Sequence, residues 1–183
     1  KIIKKFITSG FQNFYISTYY KSEVIKNYFK NGTEWNISIT YIDEKKPLGT
    51  AGALSLLPYK TFQKPIIMIN GDLITDLDIH NLLQYHEEQK NIITVGAKKY
   101  DLEVPYGVLE TDNISLTSIT EKPKHSFFIN AGIYVINPQS IEHLKPNIKI
   151  DMPEWINYLI NKDINVNIFP IHEYWLDIGE KSQ

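Results

Sequence analysis

Apolar positions along the first half of the chain alternate between short runs and longer stripes at helical spacing. Ile2, Ile3 and Phe6 mark the face of a helix that should close at Gly10. Residues 14–18 predict a short buried strand. Residues 22–29, with Val24, Ile25, Tyr28 and Phe29 on one stripe, predict a helix ending before Asn31-Gly32. Residues 37–42 alternate as a strand, and Thr50 is placed to cap a helix running to Leu57. An apolar strand is expected at 65–70, followed by a helix capped by Asp78 with Ile79, Leu82 and Leu83 facing inward. The second half is richer in strands, with candidates at 92–97, 106–111, 115–120 and 127–136. Asp151-Met152-Pro153-Glu154 combines an acid cap, an early proline and an acid three positions on, which starts a helix. Its buried stripe is expected at Ile156, Leu159 and Ile160, and short strands at 166–170 and 173–177 close the sequence. This order predicts one α/β domain over residues 1–183, with a mixed rather than purely parallel sheet.

Composition narrows the functional classes. Hydrophobic content of 43% and charged content of 22% are those of an ordinary globular domain. A net charge of -2 with no basic block gives no reason to expect nucleic acid. The absence of cysteine excludes disulfides and thiolate chemistry. No apolar run reaches membrane-spanning length, and Lys1-Ile2-Ile3-Lys4-Lys5-Phe6 is too short and charged for a secretory signal. A cytoplasmic chain without membrane contact is the expectation, with homo-oligomerisation left open.

Five short segments carry candidate chemistry. Asn70-Gly71-Asp72 follows the apolar strand at 65–70; it reads either as a plain turn or as an acid held where open α/β sheets bind ligands. Trp175-Leu176-Asp177-Ile178-Gly179 delivers a second acid, which is either a strand end or a partner of Asp72 in holding a hard, oxygen-seeking cation. Small residues in Leu48-Gly49-Thr50-Ala51-Gly52-Ala53 suit an anion or a base edge, and equally suit close helix packing. In Glu121-Lys122-Pro123 the proline biases Lys122 toward an extended backbone. A glutamate there could accept from sugar hydroxyls and a lysine contact a phosphate, or the pair could be a solvated turn. Asn130, inside the apolar run before Gly132, needs a hydrogen-bond partner, which neighbouring backbone could supply. The five histidines share no metal-ligand spacing.

Taken in order, Pro47-Leu48-Gly49-Thr50-Ala51-Gly52-Ala53-Leu54, Asn70-Gly71-Asp72, Tyr106-Gly107-Val108, Glu121-Lys122-Pro123, Ile129-Asn130-Ala131-Gly132-Ile133-Tyr134 and Trp175-Leu176-Asp177-Ile178-Gly179 resemble the sugar-phosphate nucleotidylyltransferases, most closely the mannose-1-phosphate guanylyltransferase-like branch. The resemblance implies a Rossmann-like nucleotide-diphospho-sugar transferase fold, with a mixed, mostly parallel central sheet flanked by helices. It implies transfer of a nucleotidyl group from a nucleoside triphosphate, GTP, to a hexose 1-phosphate, mannose 1-phosphate, with release of pyrophosphate. By the same resemblance Asp72 and Asp177 would hold Mg²⁺ and Lys122 would neutralise the sugar phosphate. Glu121, Asn130 and the backbone at Gly107 would hold the hexose, with Gly49 and Thr50 near the nucleobase.

The family's opening glycine-rich loop, Gly-Gly-x-Gly-Thr-Arg-Leu, has no counterpart in the sequence. The expectation is therefore a chain truncated at the N-terminus, and at the C-terminus too, lacking a central strand and impaired as a transferase on its own. Two other classes compete: a non-catalytic nucleotide-sugar-binding or regulatory domain, and a glycosyltransferase using Asp76-Leu77-Asp78 as a metal motif. Asp78 reads better as a helix cap.

Overall fold

Strands that are apolar on successive positions can be buried on both faces, and this requirement organises the molecule. The computed structural model describes residues 2–179. Along the chain lie α1 (Ile2–Thr8), β1 (Asn13–Thr18), α2 (Ser22–Phe29), β2 (Ser38–Asp43), α3 (Gly49–Gly52), β3 (Ile66–Ile69), β4 (Leu73–Thr75) and α4 (Ile79–Glu88). They are followed by β5 (Ile93–Glu103), β6 (Gly107–Asp112), β7 (Ser115–Glu121), β8 (Lys124–Ile136), α5 (Met152–Ile160), β9 (Val166–Ile171) and β10 (Trp175–Asp177).

The central sheet has the order β3-β8-β5-β9. β8 runs antiparallel to β3 and to β5, while β9 is parallel to β5, so β3, β5 and β9 share a direction around one reversed strand. Alternate residues of β8 feed two cores. Tyr134 and Ile136 join Trp155, Met152 and Leu159 of α5 and Ala51 of α3, whereas Ile133 and Val135 join Leu82 of α4 and Leu73 and Leu77 beside β4. Each fully buried aliphatic side chain in these clusters stabilises the fold by about 1.5–3 kcal/mol. β1 and β2 form a separate parallel pair. Between α1 and β3 lies a cavity of about 280 Å³, lined by Ile2, Phe6, Ile67, Ile69, Leu77 and Leu82.

β5 and β8 outrun the sheet. The last rung between β5 and β9 is Lys98↔Ile171, yet β5 and β8 stay paired to Glu103↔Lys124. Backbone bonds from Val104 N to Pro123 O (3.1 Å) and Lys122 N to Tyr106 O (3.2 Å) carry this ribbon into the β6–β7 hairpin. Beyond the sheet the ribbon buries almost nothing: Tyr100, Leu102, Phe127, Leu109 and Ile119 are all exposed.

Several expectations are corrected. The helix after Leu48 is not one piece to Leu57. α3 spans a single turn and passes into a 3₁₀ turn over Ala53–Leu56, with Leu48 rather than Thr50 at its N-cap. A strand, β4, does follow Asn70-Gly71-Asp72, but it pairs with β10 and not with β3, so no hairpin forms. The ladder of β3 runs to antiparallel β8, so Asp72 follows an antiparallel pairing rather than a parallel one. Val24 and Tyr28 of α2 are exposed because only a two-stranded sheet lies beneath that helix. In α5 the buried stripe is Met152, Trp155 and Leu159; Ile160 turns outward. β5 runs to Glu103, six residues past the strand expected at 92–97, and β8 starts at Lys124, three before the one expected at 127. The other elements form within a residue or two of expectation, including α4, whose Asp78 side chain accepts from His80 N (2.9 Å) and Asn81 N (3.2 Å). That bonding uses Asp78 as a cap and removes the Asp76-Leu77-Asp78 metal motif. No helix among the described residues is long and apolar enough to cross a membrane.

Candidate active site

The two acids meet because two three-residue strands hold them in register. β10 pairs antiparallel with β4, setting Trp175 opposite Thr75, Leu176 opposite Ile74 and Asp177 opposite Leu73. The next rung is a bond from Ile178 N to Asp72 O (2.9 Å), so the Asp72 backbone lies beside the residue after Asp177. Both side chains then turn toward Gly179. A Cβ added there would stand 2.7 Å from Asp72 Oδ2 and 3.1 Å from Asp177 Oδ1. The Gly179 N–H donates to Asp177 Oδ1 (2.8 Å), fixing that carboxylate and leaving Oδ2 free of this bond. Asp72 is exposed and Asp177 half-buried, so neither acid bears the cost of an unpaired buried charge. Two carboxylates on one exposed rim are a donor set for a hard cation that takes its other ligands from water and phosphate. Among the described residues no group of three or more His, Cys, Asp or Glu could hold a metal.

Asn130 connects to this rim through Gly132. Its Nδ2 donates to the Tyr134 hydroxyl (2.7 Å) and its Oδ1 accepts from Gly132 N (3.0 Å). Local groups therefore satisfy Asn130, leaving one N–H and one lone pair for a ligand. Gly132 has φ +68°, and a Cβ there would strike Asn70 Nδ2 at 2.6 Å. The Asn70 N–H donates to Gly132 O (2.9 Å), which seals the end of β3 onto β8 just before Asp72.

Gly107 and Glu121 face each other across β6 and β7, with Lys122 next along, and all three are exposed. Lys122 is not extended: its φ is +45°. The ribbon bonds on either side of it impose a kink there, and that tertiary demand overrides the bias from Pro123. No hydrogen bond or ion pair among the described residues ties this hairpin to the acid rim.

Gly49 and Thr50 form a third group, set against the start of α5. The Thr50 N–H donates to Asp151 Oδ1 (2.9 Å), and the Met152 N–H donates to Thr50 Oγ1 (2.7 Å). Glu154 Oε2 accepts from Asp151 N (3.2 Å), completing the capping box the sequence predicts. Gly49 has φ +76°, and a Cβ there would lie 2.5 Å from Asp151 Oδ1 and 2.6 Å from Ile150 O. Packing against α5 alone accounts for a glycine at this position.

The chain matches the model of the family described as nucleotidyl transferase over residues 1–183. The chain belongs to the nucleotidyl transferase family. Among its relatives are the mannose-1-phosphate guanyltransferase of Pichia angusta, 32% identical over 97% of this chain and 51% of that protein, and that of Debaryomyces hansenii, 30% identical with the same coverage. The bifunctional protein GlmU of Methanococcus aeolicus is 33% identical over 98% of this chain and 43% of its own length. This nucleotidyl transferase chain thus spans about half the length of the curated relatives it matches. The crystal structure of HddC from Yersinia pseudotuberculosis superposes with a TM-score of 0.72 at 26% identity, covering 98% of this chain and 78% of that one. The α/β fold with a central mixed sheet is therefore that of the nucleotidyltransferases.

Other residues around the acid rim of this nucleotidyl transferase chain carry no signal in the sequence beyond the motifs that contain them. Asn70 and Gly179 gain meaning only from what they touch. Trp175 Nε1 donates to Ala131 O (2.9 Å), tying β10 to β8 at the point where β8 bulges. Lys98 lies one position beyond the strand that the pattern predicts at 92–97 and carries no signal of its own.

Proposed function

We propose that this chain is the core of a sugar-1-phosphate nucleotidylyltransferase that moves a guanylyl group from GTP to mannose 1-phosphate, releasing pyrophosphate. The observation carrying the reading is the convergence of Asp72 and Asp177 around Gly179. In the reaction an oxygen of the sugar phosphate attacks the α-phosphorus, the bond between that phosphorus and the oxygen bridging to the β-phosphate breaks, and pyrophosphate leaves. Little covalent help is needed; two anions must be brought together and the developing charge neutralised.

Asp72 and Asp177 would hold Mg²⁺, which when bound neutralises phosphate charge at the reacting centre. Lys122, exposed on the hairpin, would set its ammonium against the sugar phosphate. The Glu121 carboxylate opposite Gly107 would accept from hexose hydroxyls, the Gly107 backbone would orient the ring, and the free valences of Asn130 would complete its hold. The backbone at Gly49 and Thr50 would border the base. Guanine and mannose rest on the relatives' names. A chain making this exchange from nucleoside triphosphate belongs in the cytoplasm.

The test is calorimetric titration of GDP-mannose into the chain with and without Mg²⁺, repeated for Asp72→Ala and Asp177→Ala. Metal-dependent binding that disappears in both variants supports the assignment. Unchanged affinity in both would reduce the acids to parts of a turn and end the enzymatic reading.

A further inference from the structure

We infer that Lys98 is a positioning residue that sets the acid pair by clamping the turn between β9 and β10. Lys98 stands on the last rung shared by β5 and β9, where β5 leaves the sheet to become the ribbon. Its Nζ donates to three successive backbone carbonyls, those of Ile171 (3.3 Å), His172 (3.4 Å) and Glu173 (2.8 Å). An ammonium has three donors and no acceptor, so these three oxygens use its whole capacity. Among the described residues Lys98 forms no ion pair. The nearby Glu173 carboxylate is engaged elsewhere, accepting from His172 N (3.1 Å) and Asp78 N (3.4 Å).

A strongly hydrated cation half-buried against backbone alone is an unusual choice for filling space, because an aliphatic residue would do so without desolvation. What the ammonium adds is a fixed orientation for three peptide planes. The next residue, Tyr174, offers its carbonyl to Asp76 N (2.9 Å) and Thr75 Oγ1 (2.9 Å), and Trp175 is pinned to Ala131 O. From there β10 has three residues in which to reach Asp177. An element so short cannot correct an error in its starting direction. Lys98 on β5 and the Ala131 carbonyl on β8 thus hold the acid-bearing turn to the root of the same ribbon that carries Glu121 and Lys122.

The proposal rests on the metal-holding role of Asp72 and Asp177, and its test separates the two. In Lys98→Met the length is kept and the donors are lost; in Lys98→Arg donors return. Hydrogen exchange is followed at the amides of Asp76 and Ile178, which bridge β4 to the turn and to β10, with Val135 in the core as reference. Mn²⁺ affinity is read by electron paramagnetic resonance. Lys98→Met is expected to exchange about tenfold faster at Asp76 and Ile178 with Val135 unmoved, and to bind Mn²⁺ about tenfold more weakly, with Lys98→Arg close to wild type. Unchanged exchange at the two amides overturns the clamp whatever the metal does. Faster exchange with Mn²⁺ affinity within about twofold of wild type overturns the link to the acids. Equal acceleration at Val135 makes Lys98 a general support of the fold and likewise overturns the proposal. A wild-type chain that binds no Mn²⁺ sinks the metal-holding role and with it the purpose assigned to the clamp, while the exchange data still report the turn itself.

Discussion

Gly179→Ala isolates the acid pair from the rest of the fold. The new methyl group would lie 2.7 Å from Asp72 Oδ2, roughly 0.7 Å inside ordinary contact, and 3.1 Å from Asp177 Oδ1. Asp72 is exposed and its carboxylate is the free end of a rotatable side chain, so it yields and the backbone does not. Global stability should therefore move by no more than about 0.5 kcal/mol. A metal site has far less tolerance, about 0.2 Å in ligand position. Displacing one of two protein ligands should weaken Mn²⁺ binding by about 10–100-fold, or about 1.4–2.7 kcal/mol. The assay pairs Mn²⁺ titration by electron paramagnetic resonance with urea denaturation of the same samples. Full Mn²⁺ affinity in a normally folded Gly179→Ala chain would mean that the two carboxylates do not share an ion. Loss of affinity together with several kcal/mol of stability would mean that the methyl group moves backbone, contrary to the geometry.

Gly49→Ala is the opposite case, since its Cβ would meet the Ile150 backbone at a φ of +76°. Left-handed strain and overpacking together should cost about 2–5 kcal/mol in urea denaturation, and a stability within 1 kcal/mol of wild type would refute the packing account. Thr50→Val and Asp151→Ala each remove part of one cap, at about 1 kcal/mol apiece, and the double variant should cost less than their sum because Thr50 Oγ1 donates to Asp151 Oδ1 (3.5 Å), a bond that either change removes. Strict additivity would show them to be independent. Burial holds His86 below its usual 6.5, against the raising effects of its bond to Asn137 and of the Glu87 charge. With the folded value depressed, the unfolded chain takes up the proton first. The contribution of neutral His86 is complete above about pH 6.5 and is lost as pH falls from there toward the folded value. The urea midpoint should fall between pH 7 and pH 5 and do so less steeply in His86→Gln; equal slopes would exclude His86 as the cause. The carboxylates held low, Asp43 by its Lys26 bond and Asp101 by its Ser126 bond, titrate below that window.

Local chemistry was the legible part of the sequence. Asp151 and Glu154 form their capping box because all its atoms lie within one turn, and the acids of Asn70-Gly71-Asp72 and Trp175-Leu176-Asp177 stand out because each ends an apolar run. What escaped was set by partners distant in the chain. Thr50 caps α5, 102 positions away, rather than its own helix, and no spacing rule reports that. Lys122 takes a left-handed backbone because the ribbon bonds at Tyr106 and Pro123 require it. Lys98 lies one position past the strand expected at 92–97, and only the register of β9 and the turn after it bring three carbonyls to its ammonium. The length of β5 and β8 was underestimated because their outer halves bury neither face, and alternation marks only a strand that has something to hide from water.

That exposed ribbon makes the molecule modular. Residues 99–128 contribute no side chain to either core cluster, so substitutions along them change what the tip presents without a penalty inside the domain. On the proposed function, sugar preference would be set in such a cassette, apart from the carboxylate rim that the β4–β10 pair holds. Grafting the corresponding hairpin from a relative onto this root is the natural route to redirecting its choice of acceptor.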